Sequence, residues 1–378
     1  MVLRRRLPGP VPGLFACALV ACALASCGGD DGKGGDDTAP DVQEVAPLDE
    51  EAAAIDEVVD EVARDAEPAE TTADAPEDAA ADTATETAPV ISLECQAVTP
   101  SLTEPNTLTV NGTARKFLLL APDGATGPGG KWPLVFLWHG FMGASMGYAA
   151  QEVAHAKDFH KAVGGAVNDT RMPFLLVTPL ADQQAMLDWT ILDTYDDVPN
   201  PDIDLFDTVR ACLDAKYGVD PDHVHSVGFS AGAIMTDLLG VMRGDVLAST
   251  LTWSGGYLVN PANAIESFPV IWPDPVASGY PQVFFHGGAT DQWEAGLLFT
   301  AHFNEWTEAD VPWLNGLGHD AILCPHTQGH TPPSSRPING YLLDFFAAHP
   351  RGTTTSPFAS GLPTSFPSTC VYRAKTPN

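Results

Sequence analysis

The stretch VHSVGFSAGAIMT, Val224 to Thr236, constrains the fold of this chain more than any other, because it packs four small residues around one serine. Its centre, Gly228 to Gly232, reads G-x-S-x-G between a run typical of a strand and a run typical of a helix. A serine held on so sharp a turn needs small neighbours, because the backbone passes close to itself there. The stretch therefore predicts a strand-to-helix elbow that presents Ser230 as a nucleophile.

Strand-like and helix-like runs alternate through the rest of the chain. The continuous apolar runs at 134–138 and 172–180 are typical of strands buried on both faces. Other strand-like runs are LASTLTWSG, PQVFFHGG and AILC, and helical runs are PDIDLFDTVRACLDAK, AGAIMTDLLGVM and INGYLLDFFAAH. We expect Asp202 to cap the first of these helices, and Asn111-Gly112 to turn a hairpin. The alternation predicts an α/β fold with a mostly parallel central sheet and helices on both faces.

The first 26 residues have the features of an export signal. Arg4 to Arg6 precede an apolar run from about Leu14 to Leu24, which is far too short to span a bilayer. The small residues before Cys27 resemble a bacterial lipoprotein signal, in which Cys27 becomes the first residue and carries the lipid. We expect a signal peptide at 1–26 and an exported protein, membrane-anchored in the periplasm or on the cell surface, or released. An ordinary signal peptide with an incidental cysteine remains an alternative.

Residues 27–92 separate this signal from the rest of the chain. The segment is crowded with Asp and Glu and has no aromatic residue, so it cannot bury enough apolar area to fold, and we expect a disordered acidic linker. A solvated spacer explains the acidic run better than calcium binding, since no ligand loop with a fixed glycine is present. The net charge of −31 argues against nucleic acid as a partner. Residues 93–378 are long enough for one catalytic domain.

The domain contains four cysteines: Cys95, Cys212, Cys324 and Cys370. An even number in an exported domain predicts two disulfides, although four cysteines allow three pairings and the sequence does not choose among them. We expect these cysteines to be structural rather than catalytic.

A serine nucleophile needs a histidine base and a carboxylate that orients it, in the chain order Ser, acid, His for this kind of elbow. Asp291 follows the strand-like run PQVFFHGG and is the expected acid, with Glu294 and Asp310 as weaker alternatives. His330, on a Gly/Pro loop, is the expected base. His326 is the second candidate and His319 the third, whereas His302 and His349 are expected to be bystanders.

The oxyanion of an acyl-transfer intermediate needs two backbone N–H donors. We expect them from Ala231, at the start of the helix after the serine, and from Phe141, in the loop after the run ending in Trp138. His139 is expected to hold that loop, and His286 a second one. A metal site at His319, Cys324, His326 and His330 is the weaker alternative, because their spacing matches no common zinc pattern. We therefore expect neither a metal nor a cofactor.

Several motifs together resemble the α/β-hydrolase group that contains polyhydroxybutyrate depolymerases and feruloyl or acetylxylan esterases. The first is the dipeptide His139-Gly140, directly after the strand-like run that ends in Trp138. The others are YGVDPDHVHSVGFSAGAIMT, FFHGGATD and C-x-H-x-x-G-H-x-x-P, and all lie within about 107–348. The resemblance implies the α/β-hydrolase fold, with Ser230 as nucleophile, Asp291 as acid and His330 as base, and with oxyanion donors at Phe141 and Ala231. Ala233 and Phe141 depart from residues common in the group, and both are expected near the acyl pocket.

The function predicted from these observations is an exported serine esterase that cleaves carboxylic esters, either polyesters or plant cell-wall feruloyl and acetyl esters. Its partners would be the ester, which can be polymeric, and a membrane through lipidated Cys27. A serine peptidase is one alternative, and a non-catalytic binding lipoprotein on a hydrolase fold is another. Four tryptophans are candidates to line the site, although packing explains tryptophan more often: Trp189, Trp293, Trp306 and Trp313.

Overall fold

The computed structural model describes residues 92–376, apart from 125, 193–198, 266–269, 276–278, 296–298, 334–336 and 354. The predicted signal peptide, Cys27 and nearly all of the predicted linker lie outside the described residues. Among the residues that are described, no helix is long and apolar enough to cross a membrane.

A twisted sheet forms the centre of the described domain, in the strand order β1-β2-β4-β3-β5-β6-β7-β10-β11. Its strands are β1 (Ser101–Val110), β2 (Thr113–Leu120), β3 (Trp132–Trp138), β4 (Leu175–Pro179), β5 (Val219–Phe229), β6 (Ser249–Trp253), β7 (Gln282–His286), β10 (Ala321–Pro325) and β11 (Val371–Arg373). The pairs from β4 to β10 are parallel, whereas β1, β2 and β11 pair in the antiparallel sense at the two edges. A separate two-stranded ribbon contains β8 (Gln292–Glu294) and β9 (Thr300–His302).

Helices cover both faces of this sheet. The helices are α1 (Leu93–Ala97), α2 (Ala149–Gly164), α3 (Pro201–Tyr217), α4 (Ala231–Arg243), α5 (Phe303–Gly316) and α6 (Ile338–Ala348). Side chains of α3, α4 and α5 share one apolar cluster with one face of β3, and side chains of α2 and α6 share a second cluster with the other face. This arrangement confirms the predicted α/β architecture with helices on both faces.

Strand β3 illustrates why a continuous apolar run was needed at this position. All seven of its residues are buried. Successive side chains point to opposite faces: Phe136 packs against Phe206 of α3 with ring centroids 4.6 Å apart, whereas Leu137 belongs to the cluster under α2 and α6. Each large side chain buried in this way contributes about 1.5–3 kcal/mol to folding.

The local predictions hold in most places. Asn111 and Gly112, both at positive φ, turn the hairpin between β1 and β2. The predicted cap of α3 is wrong by two residues: Asn200, not Asp202, accepts the N–H groups at the start of that helix. Asp202 is instead buried and forms a salt bridge with Arg115 of β2 at 2.6 Å, which ties the helix to the sheet.

Two disulfides join distant parts of the chain and choose one of the three possible pairings. Cys95 of α1 is bonded to Cys212 of α3, and Cys324 of β10 is bonded to Cys370 just before β11. The C-terminal segment thus returns to the sheet, where β11 pairs with β10. Disulfides of this kind are typical of proteins that fold in an oxidising compartment.

Candidate active site

Ser230 lies at the sharp turn between β5 and α4, at the carboxyl edge of the sheet. Its backbone has φ 56° and ψ −123°, which is unusual for a residue other than glycine, and its N–H donates to Trp253 O at 2.9 Å. A Cβ on Gly228 would lie 2.0 Å from Gly232 O, and a Cβ on Gly232 would lie 2.2 Å from Trp138 O. Both flanking glycines are therefore required by the close approach of the backbone.

The structure brings Ser230, His330 and Asp291 together from three separate loops. His330 Nε2 lies 2.9 Å from Ser230 Oγ, and His330 Nδ1 lies 2.7 Å from Asp291 Oδ1. The serine and the aspartate are buried, whereas the histidine side chain is 22% exposed. At these distances the imidazole can accept the proton of the serine hydroxyl while the carboxylate orients the ring.

The imidazole of His330 is held by aromatic rings and by its loop. It stacks on Phe303 with ring centroids 4.7 Å apart and packs at a tilt against Phe229 at 4.9 Å. The loops that carry the acid and the base also touch, since Gly329 N–H donates to Gly287 O at 3.1 Å. A Cβ on Gly287 would lie 1.8 Å from Gly329 O, so this contact requires a glycine.

Asp291 is fully buried and its second oxygen is also occupied. Asp291 Oδ2 accepts the N–H of Gly287 at 2.7 Å and the hydroxyl of Ser254 at 2.9 Å. These two hydrogen bonds fix the orientation of the carboxyl group toward His330. Sequence reasoning missed Ser254, which follows β6 at the same edge of the sheet and has φ 57°.

The loop after β3 contains the predicted oxyanion donor Phe141. Asp188 fixes this loop: its carboxylate accepts the N–H groups of Met142 at 2.6 Å, Gly143 at 3.2 Å and Ala144 at 2.8 Å. Burial raises the pKa of Asp188, while the Met142 and Ala144 hydrogen bonds act in the opposite direction. Asp188 was not predicted, and the only signal in the sequence was an aspartate beside a tryptophan in a loop.

His139 occupies the start of the same loop, as expected for a residue that holds it. Its Nδ1 lies 2.8 Å from Gly140 O, and its carbonyl accepts the indole N–H of Trp189 at 2.9 Å. Its Nε2 lies 2.8 Å from Glu152 Oε1, which is an ion-pair distance without the alignment of a hydrogen bond. The second donor candidate, Ala231, is the first residue of α4, where backbone N–H groups have no partner within the helix.

The weaker candidates for acid and base lie away from Ser230 or have other partners. Glu294 is exposed on the ribbon strand β8. Asp310 is buried on α5 and accepts the N–H of Tyr257 at 2.8 Å. His319 is buried, and its Nδ1 lies 3.0 Å from Tyr280 O.

The remaining histidines have structural surroundings. His326 lies in the base loop, where its ring accepts the N–H of Gln328 at 3.3 Å and burial lowers its pKa. His302 ends β9, directly before α5. His349 bonds Phe345 O at 2.7 Å. His286 Nδ1 accepts the N–H of Gly288 in its own loop at 3.3 Å, and its Nε2 lies 3.2 Å from Glu308 Oε1.

The alternative metal set is not assembled. Cys324 is bonded to Cys370, and among the described residues no group of three or more histidine, cysteine or acidic side chains is placed to hold a metal ion.

A small apolar pocket adjoins Ser230. The residues that line it include Phe141, Ala231, Ile234, Leu258, Trp293 and Trp306. Of the four tryptophans considered from the sequence, Trp293 and Trp306 are therefore in this lining. The other two pack elsewhere: Trp189 lies edge-on against Trp138, and Trp313 lies against Tyr257.

Comparison with known proteins supports the fold and one class of enzyme. No protein-family model matches the chain. A putative esterase, NocK, from Nocardia uniformis subsp. tsuyamanensis is 29% identical over 193 residues, which cover 50% of this chain and 50% of that protein. The chain thus matches about half the length of this curated relative.

Two solved structures share the architecture. The crystal structure of native sOPH superposes with a TM-score of 0.54 at 17% identity, covering 74% of this chain and 95% of that one. The crystal structure of native pOPH gives a TM-score of 0.51 at 17% identity, covering 71% of this chain and 92% of that one. The chain has the α/β-hydrolase fold that was predicted from its motifs.

Proposed function

We propose that this protein is a serine esterase that hydrolyses carboxylic esters through an acyl-enzyme intermediate. The observation that carries the proposal is the chain of short contacts from Ser230 Oγ to His330 Nε2 at 2.9 Å, and from His330 Nδ1 to Asp291 Oδ1 at 2.7 Å. The similarity to a putative esterase supports the same class of reaction.

The first step acylates the serine. Ser230 Oγ attacks the ester carbonyl carbon while its proton moves to His330 Nε2, and Asp291 holds the imidazolium that forms. The carbonyl oxygen becomes an oxyanion that the N–H groups of Phe141 and Ala231 stabilise, each by about 3 kcal/mol. The tetrahedral intermediate then expels the alcohol, which takes the proton from His330.

The second step releases the acid and restores the enzyme. A water molecule gives its proton to His330 as its oxygen attacks the acyl carbon, and the serine leaves with that proton. A peptide bond would require the same groups, but the similarity to an esterase favours ester substrates. Polyesters and plant cell-wall feruloyl or acetyl esters are the candidate natural substrates, and the acyl side of the site decides among them.

Covalent labelling of the full-length exported protein by a fluorophosphonate probe tests the proposed nucleophile. We expect the wild type to be labelled and Ser230→Ala to be unlabelled while keeping the wild-type melting temperature. Ser365→Ala is the control, because this serine bonds Asp344 far along the chain from the triad. Labelling that persists in Ser230→Ala, or a folded wild-type protein that is never labelled, would contradict the proposal.

Export and lipid anchoring form a second part of the proposal. The two disulfides support passage through an oxidising compartment, and the L-A-S-C stretch ending at Cys27 supports lipidation there. Several acyl chains on one terminus would give lasting attachment. Metabolic labelling with palmitate is expected to mark the membrane fraction of wild type. Cys27→Ala should lose this label, and labelling of that variant would exclude Cys27 as the lipid site.

A further inference from the structure

We propose that the pocket beside Ser230 selects esters of short, unbranched acids, acetyl and propionyl, and that Trp293 sets this limit. This inference rests on the proposed function, because it assigns the acyl side of that site.

The position of the pocket identifies it as the acyl side. It is lined by Ser230 and by both residues proposed to hold the oxyanion, Phe141 and Ala231. His330 is not among the lining residues, and it is His330 that protonates the departing alcohol. The alcohol therefore leaves on the histidine side, and the chain attached to the carbonyl carbon points into the pocket.

The size of the pocket limits this chain to one or two carbons. The space open to the centres of water-sized groups is about 20 Å³. One such group needs roughly 10–15 Å³ by the same measure. A methyl or ethyl group fits this space, whereas a hexanoyl chain or an aromatic ring needs the walls to move.

The polarity of the lining side chains also favours short, unsubstituted acyl groups. Apart from Ser230 and the indole N–H groups of Trp293 and Trp306, the described lining side chains are apolar. A 3-hydroxyacyl or feruloyl group would place a hydroxyl here, and burying a hydroxyl without a hydrogen bond is unfavourable. The acyl parts of polyhydroxyalkanoates and feruloyl esters are thus disfavoured by both volume and polarity.

Of the residues that line the pocket, Trp293 is the best placed to limit the length of the acyl chain. It lies on β8, outside the sheet that carries the triad, and packs edge-on against Phe141 with ring centroids 5.6 Å apart. The other large wall, Trp306, is buried against the backbone of Gly256, where a Cβ would lie 2.8 Å from the ring. Trp293 is half-buried, so shortening it opens the pocket without emptying the core.

The test measures kcat/KM for 4-nitrophenyl acetate, propionate, butyrate, hexanoate and ferulate, which share one alcohol. In wild type we expect acetate or propionate to exceed hexanoate and ferulate by about 100-fold, since one methylene in an apolar pocket is worth about 10- to 200-fold. Trp293→Ala should raise hexanoate turnover at least about 10-fold relative to acetate, and Trp293→Phe should raise it less. Leu258→Ala widens the same pocket from another side. It replaces Trp293→Ala as the test of the size limit if Trp293→Ala has a much lower melting temperature than wild type.

Trp313→Ala is the matched control, because Trp313 is also a half-buried tryptophan but is absent from the pocket lining. It is expected to keep the wild-type ratio of hexanoate to acetate. Equal shifts in the two alanine variants would overturn the assignment to Trp293, and a wild type that prefers hexanoate or ferulate would overturn the short-acyl selectivity. If Ser230 reacts with the fluorophosphonate but no ester of the series is hydrolysed, this inference alone is wrong. If Ser230 is not labelled at all, the proposed function fails with it.

Discussion

The carboxylate of Asp188 accepts the backbone N–H of Met142 at 2.6 Å, and it accepts those of Gly143 and Ala144 as well. One buried side chain from the loop after β4 thus orients three consecutive peptides beside the proposed oxyanion donor Phe141. Because the carboxylate is fully buried, water does not compete for these N–H groups. The loop that contains the proposed donor is thus held in place by the fold itself, as pre-organised electrostatic stabilisation would require.

We expect Asp188→Asn to lower kcat by about 10- to 100-fold. This decrease is smaller than the one expected when an oxyanion donor itself is removed. The amide has one acceptor oxygen where the carboxylate has two, so part of the loop loses its partner. Asparagine tolerates the positive φ of 66° at this position, so the backbone is preserved. KM should change little, because the lost interaction acts on the transition state. Steady-state kinetics with an acetate ester measures both.

Asp182→Asn is the control for this prediction, since Asp182 lies in the same loop and accepts the N–H of Gln184 instead. It should keep wild-type kcat. An Asp188→Asn enzyme with unchanged kcat would show that the loop keeps its geometry without the carboxylate.

Ser254 gives a second prediction about the support of the triad. Its hydroxyl donates to Asp291 Oδ2 at 2.9 Å, a bond to a charged group worth about 1.5–3 kcal/mol. Ser254→Ala should therefore lower kcat/KM by about 10-fold, because Gly287 N–H still holds the same oxygen. Ser365→Ala, which also removes a serine–aspartate hydrogen bond, should not change it. An active-site effect as large as that of Ser230→Ala would contradict a supporting role.

Much of the architecture followed from the sequence because the strands of the central sheet are continuous apolar runs. The run at 134–138 could only be buried on both faces, and β3 is. The antiparallel pairing of β11 was not predictable, since two of its three residues are exposed, and the neighbouring Cys370 is bonded to Cys324 of β10 only in the folded chain. The start of α3 was misplaced because Asn200 and Asp202 are both good capping residues, and Arg115 decides between them by pairing with Asp202.

At the candidate site, sequence order was enough to nominate the three residues that the structure brings together, because each follows a strand of the sheet. The supports of the site had no such pattern. Asp188 and Ser254 contact partners 46 and 37 residues away, and only the folded chain brings those segments together. The contact between Gly287 and Gly329 likewise depends on two loops whose spacing in the sequence carries no periodicity.

The two disulfides are expected to contribute separately to stability. The two disulfides close loops of 117 and 46 residues. In the chain-entropy model, each loop lowers the entropy of the unfolded chain and so raises the free energy of unfolding, by about 5 kcal/mol for the longer loop and about 4 kcal/mol for the shorter one. The variant with Cys324 and Cys370 both changed to serine should lose activity together with stability, because β10 leads directly into the His330 loop. The variant with Cys95 and Cys212 changed should lose stability while its kcat at low temperature is kept. Thermal melting and kinetics of both variants test this, and equal loss of kcat would contradict it.

The last prediction concerns two buried carboxyl groups, Asp237 of α4 and Asp310 of α5. Burial raises the pKa of Asp310 on α5 to about 7, although Asn260, Tyr257 and Asn263 donate to it. Burial together with the charge of Asp310 also raises the pKa of Asp237 well above its ordinary value. The unfolded Asp310 side chain ionises near pH 4. Its contribution to the free energy of unfolding is therefore complete below about pH 4 and is lost as the pH rises to about 7, by up to about 4 kcal/mol.

Urea unfolding at pH 5 and pH 7.5 measures this contribution as a difference between variants. The comparison with wild type is needed because burial lowers the pKa of His160 and of His349 to about 4, so these two histidines stabilise the fold as the pH rises toward 6.5. Asp310→Asn should lose less stability than wild type between the two pH values. Asp158→Asn, which changes an exposed carboxylate on α2, should follow wild type. If all three proteins show the same pH dependence, then Asp310 is ionised in the native state across this range, and its hydrogen bonds outweigh its burial.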